Sequence, residues 1–116
     1  MSVVTDIAGA EELLGKGVYR GVPKNVPLPV RDGHAVVVGG PAECAAAARH
    51  IAEAGWKVTV VTRGRACDCD VHRGCRRRIA TDLVCATGIE YLEVLLLRRI
   101  DSGRIEACNA SALFIL

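Results

Sequence analysis

Hydrophobic positions in the middle of the chain form two short apolar runs on either side of an alanine-rich stretch. Residues 34–40 read HAVVVGG, a β-branched run that ends abruptly in glycine, as a buried parallel strand does. Residues 41–55 begin with a proline suited to a first helical position and close on a glycine suited to the position just past a helix end. The run WKVTVVTRG at residues 56–64 predicts a second strand. Strand, helix and strand in this order predict a βαβ unit with a parallel, right-handed crossover.

The last third of the chain contains shorter apolar runs. Residues 94–100 and 104–108 are strand-like and flank a turn signal at residues 101–103, a pattern that predicts an antiparallel hairpin. Two further apolar runs, at residues 89–92 and 112–116, are expected to complete the central sheet.

The remaining segments are polar or irregular. Residues 64–78 are rich in Cys and Arg and predict a loop, leading into a short helix over residues 76–84. Residues 1–33 contain three prolines and five glycines, which predicts an irregular linker with one short helical candidate at residues 9–14. The expected fold class is therefore α/β: a Rossmann-like parallel sheet with a βαβ unit, plus a small antiparallel hairpin or meander crossover. A single domain is expected over residues 34–116.

The composition fits one domain with an aliphatic core. The 116 residues are 51% hydrophobic but only 3% aromatic, so a core of Val, Ile, Leu and Ala is expected. The net charge of +2 is too near balance to predict a general affinity for nucleic acid or for a membrane surface. No segment approaches the roughly 20 apolar residues of a membrane span, and the N-terminus has acidic residues where a secretory signal has a basic start. We therefore expect a cytoplasmic location, with most of the six cysteines as free thiols.

The strongest functional signal lies between the first predicted strand and the helix. A dinucleotide pyrophosphate binds such a turn because a helix N-terminus offers unpaired N–H groups and a partial positive charge, and glycine lets the backbone come close. In the pattern G-x-G-x-x-G/A, Gly39 takes the first glycine position, Pro41 the second and Cys44 the closing one. The candidate cofactor-binding residues of this turn are Gly39, Gly40, Pro41, Ala42 and Glu43.

Two residues of this turn disfavour a ligand. Pro41 lacks an N–H and places a ring where the phosphate should approach the backbone. The Glu43 carboxylate compensates the helix dipole by itself and would repel a phosphate. The alternative is therefore that the segment is simply a good helix start, with Pro at its first position and Glu at its third.

A basic segment follows the second predicted strand. An NAD-specific domain normally has Asp or Glu there to hold the ribose hydroxyls, whereas this chain has Thr62, Arg63, Gly64 and Arg65. Basic residues at this spacing favour a 2′-phosphate and hence NADPH over NADH. Solvated loop charges are the alternative. The candidate cofactor-binding residues of this segment are Thr62, Arg63 and Arg65.

Together these segments resemble the pyridine-nucleotide domain of thioredoxin reductase-like flavoproteins, from about Ile7 to the C-terminus. Residues 15–19, GKGVY, are similar to the family's G-x-G-V-aromatic segment, and AVVVGG followed by Cys44 and Ala45 is similar to its glycine-rich turn. VTVVTRG resembles the family's strand ending in a basic loop, and the terminal ALFIL resembles the strand that leads back towards the flavin domain. The resemblance implies a domain that binds NADPH.

The resemblance also implies that parts of the family's machinery are missing. In such enzymes NADPH reduces a flavin, and the flavin reduces a disulfide whose cysteines lie as C-x-x-C just ahead of the strand-turn-helix. This chain has YRGVP at residues 19–23 in that neighbourhood and no cysteine before Cys44. It also has no second glycine-rich turn for FAD. The resemblance therefore implies no catalytic residue and no FAD bound by this chain, and it suggests a separate flavoprotein or FAD-domain subunit as partner.

Residues 67–75 form a second segment with possible chemistry, because three thiols, one imidazole and two carboxylates fall within them. Cys67, Cys69, His72 and Cys75 could supply the four tetrahedral ligands of zinc, although their spacing is tighter than that of ordinary paired C-x-x-C sites. A redox disulfide between Cys67 and Cys69 is another alternative. A polar, solvated loop without metal is the expectation. The adjacent arginines could activate a thiol, assist Arg63 on a 2′-phosphate or form a solvated helix face; they are Arg73, Arg76, Arg77 and Arg78.

The other titratable side chains are expected to be structural. His50 lies in the alanine-rich helix, and Cys44, Cys85 and Cys108 are expected to be small buried side chains. His34 has no partner visible in the sequence. Three hypotheses of function therefore follow: an isolated NADPH-binding domain, a degenerate interaction or regulatory domain that has lost the nucleotide, and a metal or redox sensor acting through residues 67–75.

Overall fold

The chain folds into two β-sheets and one α-helix. A computed structural model describes residues 7–26, 33–39, 41–61, 75–78 and 81–116. In chain order the elements are β1 (Val18–Arg20), β2 (His34–Val38), α1 (Pro41–Glu53), β3 (Lys57–Val61), β4 (Cys75–Arg78), β5 (Thr81–Thr87), β6 (Val94–Arg99), β7 (Ile105–Asn109) and β8 (Ala112–Ile115). A 3₁₀ turn at Glu11–Leu13 precedes β1.

Five strands form a parallel sheet in the order β1-β8-β2-β3-β4. β2 pairs with β3 in parallel from His34↔Lys57 to Val38↔Val61, and α1 connects the two strands. This arrangement confirms the predicted βαβ unit. β8 pairs with both β1 and β2, which confirms that residues 112–116 complete the central sheet.

The parallel sheet is the middle of three layers. Successive side chains of a strand point to opposite faces, so the buried strands feed two separate cores. The core on the α1 side includes Ala35, Val37, Cys44, Ile51, Val60 and Phe114. The core on the other side includes Val36, Val38, Leu83, Leu95, Leu97 and Leu113. Because both faces are covered, the central strands β2 and β8 read as apolar runs in the sequence.

The second layer against the parallel sheet is an antiparallel sheet in the order β5-β6-β7. β6 and β7 form the predicted hairpin, with pairs from Val94↔Asn109 to Arg98↔Ile105. The α/β class, the parallel sheet and the antiparallel crossover are thus as the sequence predicts.

The predicted helix over residues 76–84 is wrong, and so is the loop predicted as far as residue 78. β4 runs along β3 from Val58↔Cys75 to Val61↔Arg78, and β5 begins at Thr81. Nothing local marks β4 as a strand, because its strand structure depends on pairing with β3. β5 contains a register shift between Leu83 and Cys85, and this bulge interrupts the alternation that would have identified it.

Residues 89–92 do not complete the central sheet, contrary to prediction, because they lie in the turn between β5 and β6. A Cβ on Gly88 would lie 1.7 Å from the carbonyl oxygen of Tyr91, so only glycine fits at the start of this turn. The segment predicted to be an irregular linker contains β1, and the 3₁₀ turn falls within its helical candidate. Neither α1 nor any other helix in the described part of the chain has the length and hydropathy of a membrane span.

Candidate functional site

The candidate turn lies at the carboxyl edge of the parallel sheet, where β2 ends. β2 has β3 on one side and β8 on the other. The chain leaves β2 through α1 towards β3, whereas β8 comes from the end of the chain, so the strand order changes direction beside β2. Open α/β sheets bind ligands in the crevice outside the carboxyl ends of the strands at such a point. The structure therefore places Gly39 at the position where open α/β sheets bind ligands.

Packing within the chain requires glycine at position 39. Its φ of +156° is a backbone conformation that other residues rarely adopt, and a Cβ built there would lie 2.8 Å from the Cβ of Leu116. The Leu116 N–H donates to the Val38 carbonyl oxygen at 3.0 Å, which holds the end of β8 against the turn. Sequence reasoning assigned Gly39 to a cofactor alone and missed this contact, because no local pattern connects residues 39 and 116.

The helix begins at the residue that the sequence predicts. α1 begins at Pro41, and Glu43 is exposed in its first turn. The first N–H groups of a helix have no partner within the helix, and Pro41 contributes none, so this turn offers one donor fewer than a glycine would provide. The side chains of Pro41 and Ala42, and the whole of Gly40, lie outside what the structure describes.

Cys44, at the closing position of the pattern, is fully buried in the core under α1. Desolvation by burial, with the negative charge of Glu43 as a second cause, raises the pKa of the Cys44 thiol from 9.0 to about 11. The thiol is therefore protonated at neutral pH and acts as a small packing residue, as predicted.

The basic segment of the candidate site follows β3, and the structure describes the chain there only as far as Val61. Thr62, Arg63 and Arg65 lie outside the described residues, but they directly follow Val61, the last residue of β3. Val61 pairs with Val38 on one side and with Arg78 on the other. The backbone of Arg78 is thus at the same edge of the sheet as the turn, a placement that the predicted loop and helix did not anticipate.

His34 lies at the opposite, amino edge of the sheet, and its ring contacts Asn109, Thr59 and Cys108. Its Nδ1 lies 2.6 Å from the carbonyl oxygen of Asn109, and because a carbonyl only accepts, Nδ1 is the donor. Its Nε2 lies 2.7 Å from Oγ1 of Thr59. His34 therefore ties β2 to β3 and to the end of β7, and it is remote from the candidate turn. These partners are not visible in the sequence, because they are 25 and 75 residues away from His34.

The remaining cysteines do not assemble a second site in the described part of the chain. Cys44, Cys85 and Cys108 are free thiols; Cys44 is buried as predicted, whereas Cys85 and Cys108, also predicted to be buried, are only half-buried. Among the described residues, no group of three or more His, Cys, Asp or Glu side chains could hold a metal ion. Residues 67–74 lie outside the described part, so the zinc and redox predictions for that loop remain predictions.

No protein-family profile matches the chain, and no curated protein sequence matches it. Solved structures do match. Thioredoxin reductase from Giardia duodenalis has a TM-score of 0.81 at 18% identity and covers 96% of this chain and 38% of its own. The enzyme from Lactococcus lactis has a TM-score of 0.77 at 15% identity, covering 95% of this chain and 39% of its own. A ferredoxin-flavin thioredoxin reductase from Clostridium acetobutylicum has a TM-score of 0.70 at 22% identity, covering 94% and 35%.

These similarities concern the fold, since the identities are low. They extend over nearly all of this chain, which spans less than two-fifths of the length of the solved enzymes. The described elements therefore correspond to one part of those enzymes. The chain has the fold of that part of a thioredoxin reductase, which confirms the resemblance drawn from its sequence.

Proposed function

We propose that this chain is an NADPH-binding domain related to thioredoxin reductase-like oxidoreductases, with the pyrophosphate held at the turn between β2 and α1. The observation that carries the proposal is the position of this turn. It follows a central parallel strand, opens α1 and lies where the strand order changes direction beside β8. A helix N-terminus in that position offers unpaired N–H groups and a partial positive charge to an anionic ligand.

Basic residues support the choice of NADPH over NADH. Arg63 and Arg65, with Thr62, follow β3, which is the hydrogen-bonded neighbour of β2. Arg78 ends β4, the next strand along. A carboxylate that would hold ribose hydroxyls is absent from the sequence at residues 62–65, and guanidinium groups are suited to a 2′-phosphate.

The turn itself fits a pyrophosphate only in part. Pro41 withdraws one N–H donor, and the exposed Glu43 carboxylate opposes a negative ligand. Gly39 packs on Leu116, so its lack of a side chain does not by itself indicate a ligand. We therefore expect NADPH to bind weakly, with most of its affinity contributed by the arginines. Because salt screens charges, this binding should weaken as the salt concentration rises.

To take part in a reductase reaction, the proposed NADPH-binding domain requires a flavin bound by another domain or protein. The chain spans less than two-fifths of the solved enzymes that share its fold. We propose that a separate flavoprotein or FAD-domain subunit completes the reaction, and that this domain binds the nucleotide without catalysing a reaction alone.

Calorimetric titration of the purified domain with NADPH and NADH at low salt tests the proposal. NADPH should bind more tightly than NADH. Arg63→Ala should weaken NADPH binding about tenfold or more and leave NADH binding unchanged, since a hydrogen bond to a charged group contributes about 1.5–3 kcal/mol. Lys57→Ala is the matched control, because it removes one positive charge from the opposite end of the same strand, β3.

A second candidate function is a degenerate domain that has lost the nucleotide and acts through protein contacts. The exposed Glu43 and the Gly39–Leu116 packing favour it. One solved structure of the same fold is named a ferredoxin-flavin thioredoxin reductase, a name that contains ferredoxin and flavin but no NADPH. Pro41→Gly separates the two candidates: it should strengthen NADPH binding if the site works. Absence of NADPH binding by both the natural chain and Pro41→Gly would favour the degenerate domain.

A further inference from the structure

Within the described residues, β7 is an edge strand of the antiparallel sheet. The strand order β5-β6-β7 gives it β6 as a neighbour on one side and no described strand on the other. Ile105, Ala107 and Asn109 are exposed along it, Ile105 at 55%. Monomeric proteins commonly protect such an edge with charged side chains, Pro or a bulge. β7 reads IEACN and pairs with β6 in an unbroken register, so Glu106 is its one charged residue and the strand has neither a proline nor a bulge.

The hydrogen-bond pattern of the hairpin shows which backbone groups of β7 point outward. The Arg99 N–H donates to the Arg104 carbonyl oxygen at 2.9 Å, and at the other end of the hairpin the Ala110 N–H donates to the Glu93 carbonyl oxygen at 3.1 Å, so Arg104 and Ala110 direct backbone groups towards the β6 side. Hydrogen-bonded and non-hydrogen-bonded pairs alternate along an antiparallel ladder. Ile105, opposite Arg98, and Ala107, opposite Leu96, therefore belong to non-hydrogen-bonded pairs, and their N–H and C=O groups point away from β6.

Asn109 confirms this alternation and limits where a new strand can add. Asn109 lies two and four residues after Ala107 and Ile105, so its backbone groups also point away from β6. Its carbonyl oxygen accepts a hydrogen bond from His34 on that outer side. The Asn109 end of the edge is thus occupied by the His34 side chain of β2, whereas no described residue bonds to the Ile105 end.

We propose that β7 is a homodimerisation strand, along which two copies of this chain pair antiparallel about a two-fold axis near Ile105. The outward N–H and C=O groups of Ile105 then bond to those of Ile105 in the other copy. The two antiparallel sheets become one continuous sheet, and the exposed Ile105 side chains meet.

Charge complementarity favours a second copy of this chain as the strand that pairs with β7. With the axis near Ile105, antiparallel pairing sets Arg104 opposite Glu106 of the other copy, and the symmetry repeats this pair. Arg104 is exposed and is in no ion pair among the described residues. Glu106 is half-buried and already has contacts within its own chain, so the opposing guanidinium adds to them. The order Arg-Ile-Glu is therefore complementary to itself when read in the antiparallel direction.

Sedimentation velocity over a range of protein concentrations tests the proposal with three proteins. The natural chain should shift from monomer to dimer as the concentration rises. Ala107→Pro should stay monomeric, because proline removes an outward N–H without breaking a bond to β6. Ala107→Val, the matched control, keeps that N–H and favours a strand, so it should dimerise at least as well as the natural chain.

Two results would overturn the homodimer. One is a natural chain that remains monomeric up to millimolar concentration, and the other is a folded Ala107→Pro variant that dimerises like the natural chain. If Ala107→Pro does not fold, amide hydrogen exchange of the natural chain decides the question. Exchange at Ile105 and Ala107 should slow by tenfold or more between dilute and concentrated samples, and rates that do not depend on concentration would contradict the pairing. Binding of an added extended peptide without self-association would assign the edge to another protein.

Discussion

Replacing Gly39 with alanine tests how closely the end of β8 packs against the candidate turn. The new Cβ would lie 2.8 Å from the Leu116 Cβ, which is attached directly to the backbone and cannot rotate away. The backbone φ of +156° adds strain for any residue other than glycine. Both effects act on the folded state, so the variant should unfold more easily even where no ligand is present.

The cost can be estimated from these two effects. A residue held in a sparsely populated backbone region costs about 1–3 kcal/mol, and an extra carbon in a filled site costs about 1–3 kcal/mol. Because Leu116 is only half-buried and lies just after the end of β8, some relaxation is expected, and the sum for Gly39→Ala should be about 2–4 kcal/mol. Removing the opposing Cβ with Leu116→Gly should restore the contact part, so the double variant should show a coupling of about 1–2 kcal/mol.

Urea unfolding followed by circular dichroism measures both quantities. With a slope of about 1.5 kcal/mol/M, the midpoint for Gly39→Ala should fall by roughly 1–3 M. The double variant should be more stable than the sum of the two single changes predicts. An unchanged midpoint for Gly39→Ala, or strictly additive effects, would refute the close packing of Leu116 on the turn and return Gly39 to a purely ligand-related role.

Two further predictions concern a turn and a buried thiol. Gly88→Ala should cost at least about 3 kcal/mol, since its Cβ would lie 1.7 Å from the Tyr91 carbonyl oxygen. Gly103→Ala, with φ +72° but nothing within 4 Å of the new Cβ, should cost only about 1 kcal/mol; equal losses in thermal unfolding would contradict the geometry of the β5–β6 turn. The raised pKa of Cys44, about 11 in place of 9.0, means that the folded chain keeps a proton that the unfolded chain releases. Its contribution to stability is therefore complete below pH 9 and is lost as the pH rises towards 11. The stability difference between the natural chain and Cys44→Ala should change across this range, and a constant difference would show that burial does not perturb the thiol.

The βαβ unit could be predicted because its signals are local. β2 and β3 are covered on both faces, which leaves valine-rich runs, and α1 has a proline at its start and a glycine two residues after its end. β8 was predictable for the same reason, since all four of its residues are buried.

The elements that could not be predicted from the sequence depend on pairing with distant strands, or contain one residue that breaks the alternation of buried and exposed positions. β4 is a run of Cys and Arg that becomes a strand by pairing with β3. β5 loses its alternation at the bulge after Leu83. The apolar residues 89–92 look like a strand, but the backbone turns at Gly88, and Ile89 is 91% exposed as a result.

The candidate site was predictable in position but not in its surroundings. Gly39, Pro41 and Glu43 form a contiguous pattern between a strand and a helix, and such a pattern is visible without tertiary information. The contact of Gly39 with Leu116, and the position of Arg78 at the same edge of the sheet, arise only when β8 and β4 join the sheet.

The most direct test of the central claim is an NMR titration of the isotope-labelled domain with NADPH, because it locates the ligand. The backbone amide signals of Gly39, Glu43 and Arg78, at the carboxyl edge, should shift as NADPH is added. Those of Lys57 and Asn109, at the amino edge, should not. Shifts confined to the amino edge, or no shift at any amide in the presence of excess NADPH, would contradict the proposal that this turn binds the nucleotide.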